Sequence, residues 1–256
     1  YQWELCNAAG AECSEISGAA ASTLSLVSGF VGKTVRVAVT GTNQAGSVTK
    51  VSPASSVVSA LAPIEKALPS ITGSLIDGQV LSALAGSWEG TAPISYSYQW
   101  KLCNAAGAEC SNISEALAST LSLVSAYVGK TVRVAVTATN AAGATTVTSA
   151  ASSAIAALLP SSTSAPAISG LLQVGQILSA STGKWTGTTP ITYSYQWQNC
   201  GLLGTTCQNI AKAVESVLKL EVADVGLTFR VVVTATNAGG SKSAESSVTS
   251  AILGLL

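Results

Sequence analysis

The stretch that decides the fold is Ile94-Ser-Tyr-Ser-Tyr-Gln-Trp-Lys-Leu-Cys103. Apolar and polar residues alternate in it from Ile94 to Leu102. Ile94, Tyr96, Tyr98, Trp100 and Leu102 share one side, and Ser95, Ser97, Gln99 and Lys101 the other. A period of two is that of a β-strand with one buried face. Aromatic rings bury about 150–250 Å² each, so this strand is expected to supply much of a core.

Outward from it, the same letters return at a fixed distance. Trp3, Trp100 and Trp197 lie 97 residues apart, as do Gly32, Gly129 and Gly226, and Asn43, Asn140 and Asn237. The pairs Trp88/Trp185, Pro69/Pro166 and Gly78/Gly175 keep the same spacing. A unit of about 100 residues can enclose its own core, unlike the shorter units of a solenoid. The 256 residues therefore read as a partial repeat (1–59) that starts at its third strand, a linker plus complete repeat (60–156), and a second linker plus complete repeat (157–256). The expected core aromatics are Trp3, Trp88, Trp100, Trp185, Trp197, Tyr96, Tyr98, Tyr193 and Tyr195.

The partial repeat lacks counterparts of Ala60–Ser97. Without them Tyr1 and Trp3 would be exposed beside an unpaired strand edge, a template for another chain. The missing strands are expected from upstream residues, or else from another molecule in a polymer. The C-terminal Ala251–Leu256 is a poor donor, since it stops before a Pro-x-Ile-x-Gly strand begins.

Within a complete repeat the punctuation is β-type throughout. Pro69-Ser-Ile-Thr-Gly and Gly78-Gln-Val-Leu-Ser-Ala read as two short strands. Ser119–Val124 alternates again, and Lys130–Asn140 places Val132, Val134, Val136 and Ala138 inward, with Thr131, Arg133, Ala135, Thr137 and Thr139 outward. Asn140-Ala-Ala-Gly143 is a hairpin loop leading to a final strand. Seven short strands with no helical period predict an all-β sandwich. Prolines at 63 and 69, and at 160 and 166, predict extended, semi-rigid spacers that join the sandwiches into an extended array.

Six cysteines fall as Cys6/Cys13, Cys103/Cys110 and Cys200/Cys207. One closely spaced pair per repeat predicts a disulfide stapling a hairpin, and an oxidising, extracellular setting. Zinc is a poor alternative, because each repeat offers two thiols and the chain has no histidine.

The string P-x-I-x-G, V/D-G-Q-x-L-S-A, G-x-W-x-G, Y-S-Y-Q-W, C-x6-C and V-G-x-T-x-R-V-x-V-T-A-T-N-x-x-G resembles the tandem immunoglobulin-like repeats of large secreted and cell-surface bacterial proteins. The resemblance covers essentially the whole chain and implies stalk, spacer or fibre duties, with ligand-binding tips in some members. Trp100 stands where the core tryptophan of an immunoglobulin domain would, but the inter-sheet disulfide has no counterpart. The third repeat alone keeps an Asp-x-Gly corner, at Asp224; Tyr127 and Phe30 stand in its place in the others.

The chemistry is sparse. Absence of histidine removes the usual triads, and paired cysteines are not free nucleophiles. Asp77 and Asp224 are the sole aspartates, so neither an acid pair nor calcium at the linkers, which hold Glu65 alone, is expected. An isopeptide crosslink is disfavoured because Lys33 and Lys130 become Leu227. Arg36, Arg133 and Arg230 share one position, read either as a contact stripe or, preferably, as cations covering a neighbouring strand. Asn112-Ile-Ser114 is a glycosylation sequon found in one repeat only. The loop Gly201–Thr206 is apolar where Asn7–Glu12 and Asn104–Glu109 are polar, and is the loop first in line to meet a partner.

Net charge is zero and charged residues make up 9% of the chain, which excludes nucleic-acid binding and suits a surface that packs against copies of itself. No apolar run approaches a membrane span of about 20 residues. No cofactor and no enzyme activity are expected. The leading expectation is a structural segment of an extracellular fibre, sheath or cell-surface stalk, associating with copies of itself or with neighbouring repeats. The alternative is an adhesin or glycan-binding recognition module with a surface glycan or protein ligand.

Overall fold

The computed structural model describes residues 1–201 and 204–254. Leu202-Leu203, in the apolar third loop, and Leu255-Leu256 lie outside them. The protein is all-β: tandem immunoglobulin-like sandwiches, the first of which has one sheet in place of two.

Repeat 2 shows why the sequence folds this way. The tryptophan strand, Ser95–Cys103, pairs antiparallel with the arginine strand, Thr131–Asn140, in the register Trp100↔Val134. Ser111–Asn112 and Gly143–Thr148 flank them to complete a four-stranded sheet. Facing it is a three-stranded sheet in the order Thr120–Ser122, Val80–Leu84, Ser70–Thr72. Between the sheets Leu81, Trp100, Val132, Val134 and Val136 have no exposed surface, and Leu123 has 2%. The indole N–H of Trp100 is not wasted by burial, since it donates to the Ala118 carbonyl at 3.0 Å. Repeat 3 repeats the plan around Trp197, Phe229, Val231 and Val233.

The residues expected to be free spacers are strands. Ile64–Ala67 pairs with Ser87–Glu89, and Ser161–Ser164 with Lys184–Thr186, so a complete repeat has nine short strands rather than seven. Each ribbon's second strand is entered through a glycine pressed against the first strand's end. Gly86 has φ +81°, and a Cβ there would sit 2.1 Å from the Ala67 carbonyl oxygen; Gly183 repeats this against Ser164 at 2.3 Å.

Four expectations about burial need correction. Tyr96 and Tyr193 are 41% and 39% exposed and lie at the sandwich rim, beside Trp88 and Trp185. The facing sheet is built of strands of three to five residues and covers only the Cys103 half of the nine-residue tryptophan strand. Trp88, Trp185, Tyr98 and Tyr195 are half-buried and pack against the cores. Trp3 is only half-buried and Val39 is 41% exposed, whereas the equivalent Trp100 and Val136 are fully enclosed, because no second sheet covers repeat 1. Conversely, Thr131 and Ala135, assigned outward, are 3% and 8% exposed. The stapled hairpin folds over the first of these, and the Thr131 hydroxyl donates to the Asn104 carbonyl at 3.0 Å.

Candidate functional site at the junction between repeats

All three disulfides are formed, Cys6–Cys13, Cys103–Cys110 and Cys200–Cys207. The near-identical loops they close are explained from within. Asn104 accepts the Ala106 and Ala108 N–H groups on its side-chain oxygen and donates to Glu109, as Asn7 does with Ala9, Ala11 and Glu12. Asx-type bonding of this kind holds a turn without help from any partner.

The arginines are likewise committed to their own repeats. Arg36 is paired with Glu4, its cross-strand neighbour. Arg230 bonds to Gln198 and Glu245. Arg133 donates to the Ser149 and Gly107 carbonyls, but its cross-strand neighbour is Lys101, and its buried Nε has no partner among the described residues.

The polar constellation that joins elements distant in sequence lies elsewhere, between repeats 2 and 3. Asp77 sits in the loop between Ser70–Thr72 and Val80–Leu84 and is 7% exposed. Its Oδ2 accepts the Ser125 hydroxyl at 2.6 Å, and also the Thr188 hydroxyl, 111 residues away in the next repeat, at 2.7 Å. The Ser125 bond above all, then the Thr188 bond, holds the carboxyl below its ordinary value of 3.8 against the upward push of burial; the Gly78 N–H assists. Thr188 is 2% exposed and also accepts the Leu158 N–H at 2.7 Å on its hydroxyl.

Around this bolt the connecting segment is pinned on both sides. Asn237 Nδ2 donates to the carbonyls of Leu158 and Thr188, each at 2.8 Å. Ile76 and Ala156 form a parallel bridge, and the Asp77 N–H donates to Ala156 O at 2.9 Å. The linker ahead of repeat 2 is held in the same way one period earlier: Asn140 Nδ2 reaches Leu61 O and Thr91 O, and the Leu61 N–H donates to Thr91 Oγ1 at 2.8 Å.

Sequence reasoning passed over Asp77, Ser125 and Thr188, weighing Asp77 only as a candidate acid. The available signal was the period itself, which carries Ser28 to Ser125 and Thr91 to Thr188 in loops that core packing does not explain. Asp224 bonds locally, accepting the Glu221 N–H at 2.8 Å to cap a three-residue helical turn. Among the described residues no group of three or more acids, cysteines or histidines converges as a metal site. No helix among them is long and apolar enough to cross a membrane.

No family model matches the chain, and no curated protein matches it. Solved structures do, as multidomain chains. A four-Ig-domain N-terminal segment of Dscam1 matches at 14% identity over 99% of this chain and 65% of its own, with a TM-score of 0.28. A domain segment of titin matches at 16% identity over 99% of this chain and 88% of its own, with a TM-score of 0.30. Three N-terminal domains of the Highly Immunogenic Outer Capsid protein of bacteriophage RB49 match at 13% identity over 100% and 88%, with a TM-score of 0.28. The chain spans just under two thirds of the Dscam1 fragment. What places this chain among tandem immunoglobulin-like sandwiches is the strand order and pairing of its own repeats.

Proposed function

We propose that the chain is a non-catalytic structural segment of an extracellular protein of the bacterial tandem-repeat kind it resembles: a semi-rigid spacer within a fibre, sheath or surface stalk. One observation carries this reading. The same contacts, Leu61–Thr91–Asn140 and then Leu158–Thr188–Asn237, recur every 97 residues and fasten each linker to the repeat that follows it, and at the second junction a buried bond from Thr188 to Asp77 ties repeat 3 to repeat 2. A linker meant only to tether would leave those groups to water. The hairpin disulfides fit an oxidising compartment. Small-angle scattering of the chain tests the reading: one inter-repeat geometry is expected, and a broad distribution of geometries would overturn it. Electron microscopy of native material then separates fibre or sheath from isolated stalk.

A second reading, glycan recognition, draws on one observation. Tyr96 and Tyr193 are exposed beside Trp88 and Trp185 at equivalent places on both complete repeats. Aromatic faces at a rim suit sugar rings. A glycan array with the chain and with Tyr96→Ala/Tyr193→Ala tests it; binding lost in the variant supports recognition, and no binding by either discards it.

A further inference from the structure

Repeat 3 departs from repeat 2 around its stapled hairpin. An open cleft of about 510 Å³ is formed there, with Asn199, Thr206, Gln208, Asn209, Ile210 and Leu227 in its wall. One period earlier the same places hold Leu102, Glu109, Ser111, Asn112, Ile113 and Lys130. Both charges are gone in repeat 3, and an apolar side chain of the tryptophan strand has become an amide. Asn199 has the parity of Trp197 in the strand Thr192–Asn199, and Leu102 in that place packs against the core of repeat 2. An amide set at such a position costs stability unless its polar atoms are bonded.

Both asparagines are held by their oxygens. Asn199 Oδ1 accepts the Gly201 N–H at 2.9 Å, which turns its Nδ2 the other way. Asn209 is set by a relay. Glu245 accepts from Arg230, which donates from Nε to Gln198 Oε1. A guanidinium has no acceptor, so Gln198 must give Arg230 its oxygen and Asn209 its nitrogen, and Asn209 Oδ1 accepts that nitrogen at 2.7 Å. The Asn209 Nδ2 is thereby left to donate outward. Repeat 2 has no such relay, because Lys101 and Thr148 stand in place of Gln198 and Glu245. Ile210 and Leu227, packed against the core of repeat 3, give the cleft an apolar wall.

A repeat docked as repeat 3 is on repeat 2 leaves this place open, since Glu109, Ser111 and Asn112 stay exposed beside that junction. The cleft is also separate from the aromatic rim. Asn199 lies six residues along its strand from Tyr193, about 20 Å at the rise of a β-strand.

We propose that this cleft is a binding site for a short neutral saccharide. The six side chains named carry no formal charge, so an ionised ligand would lose hydration there without meeting a counter-charge. Two amide nitrogens with locked oxygens suit hydroxyl and ring oxygens as acceptors. Thr206 and Gln208, both exposed, take the sugar's own hydroxyl protons. Ile210 and Leu227 meet the C–H faces of the ring. The volume is ordinary for a small-ligand site, and donors oriented by bonds within the protein have little order left to lose on binding. Recognition by repeat 3 goes beyond the spacer reading and does not rest on the rim tyrosines.

The test titrates the whole chain with maltose, cellobiose, lactose and chitobiose, and with sialyllactose and a heparin disaccharide as acidic counterparts. Calorimetry and the side-chain amide NMR signals are the readouts. At least one neutral sugar is expected to bind, shifting the signals of Asn199 and Asn209. Asn199→Leu, which installs the residue that repeat 2 folds with at this place, and Asn209→Ala are each expected to weaken binding about tenfold. Gln198→Lys, which breaks the relay, is expected to weaken it several-fold. No binding by any neutral sugar overturns the proposal, as does binding confined to the acidic pair. Binding that survives the Asn199 and Asn209 changes but is lost in Tyr96→Ala/Tyr193→Ala assigns the sugar to the rim and overturns this site.

Discussion

At the scale of single residues, the cross-strand partner of each arginine decides how well that arginine is used. Glu4 and Gln198 each give it an oxygen; Lys101 offers a like charge, and Arg133 Nε is buried without an acceptor among the described residues. An unpaired buried donor costs about 1–3 kcal/mol. Lys101→Gln is therefore expected to stabilise repeat 2 by about 1 kcal/mol, read as an upward shift of its thermal transition; no shift would mean that the Nε is solvated in solution. The disulfides act at the same scale but through the unfolded chain. Closing a loop this short contributes roughly 2–3 kcal/mol, so Cys103→Ser/Cys110→Ser is expected to cost repeat 2 that much in a denaturant titration. The paired cysteines were legible from spacing alone. The arginine partners were not, because cross-strand register depends on which residues pair, and the local sequence does not contain that.

At the scale of elements, alternation identified the long strands well. Val132, Val134 and Val136 face inward as their spacing demands, and each is fully buried. Val134→Ala is accordingly expected to destabilise repeat 2 by about 2–3 kcal/mol, while Val39→Ala, on the uncovered sheet of repeat 1, costs well under 1. The contrast checks the missing layer directly by paired denaturation curves. Short ribbons were harder to see. Ser161–Ser164 has no apolar pattern at all and is a strand because Lys184–Thr186 lies beside it. Gly86→Ala, which would push a methyl into the Ala67 carbonyl at a positive φ, is expected to open the Ile64–Ala67 ribbon and raise amide exchange there.

At the scale of the whole molecule, the repeats differ in what completes them. Repeats 2 and 3 each close a core between two sheets, and repeat 1 holds a single sheet. A one-layer sheet cannot bury its apolar face, so repeat 1 is expected to unfold first, as a separate low-temperature transition in calorimetry with early exchange across Thr34–Asn43. The junction between repeats 2 and 3 depends on pH through Asp77. Its carboxyl is held below the ordinary value, so the ionised form favours the docked state. That contribution is complete above the ordinary aspartate range and drains away as the pH falls through it toward the lowered folded value. Inter-repeat geometry, followed by scattering, is expected to be constant from neutral pH down to about 5 and to broaden in more acidic solution; Asp77→Asn should show the broadened state at every pH. The array does not continue its socket through repeat 3, where Val174 and Val222 stand in place of Asp77 and Ser125.

The sequence by itself determined the period, the alternating strands, the paired cysteines and the all-β class, because each of these is written in residue types at short or fixed spacing. Tertiary structure alone decided that Asp77 belongs to Thr188, that Arg133 faces Lys101, that the proline-flanked linkers are strands, and that Trp3 is left half-covered. These facts depend on which segments lie side by side across 20 to 111 residues of chain. A hydrogen bond or a covering layer at that range is a property of packing, and packing is set by all the elements together.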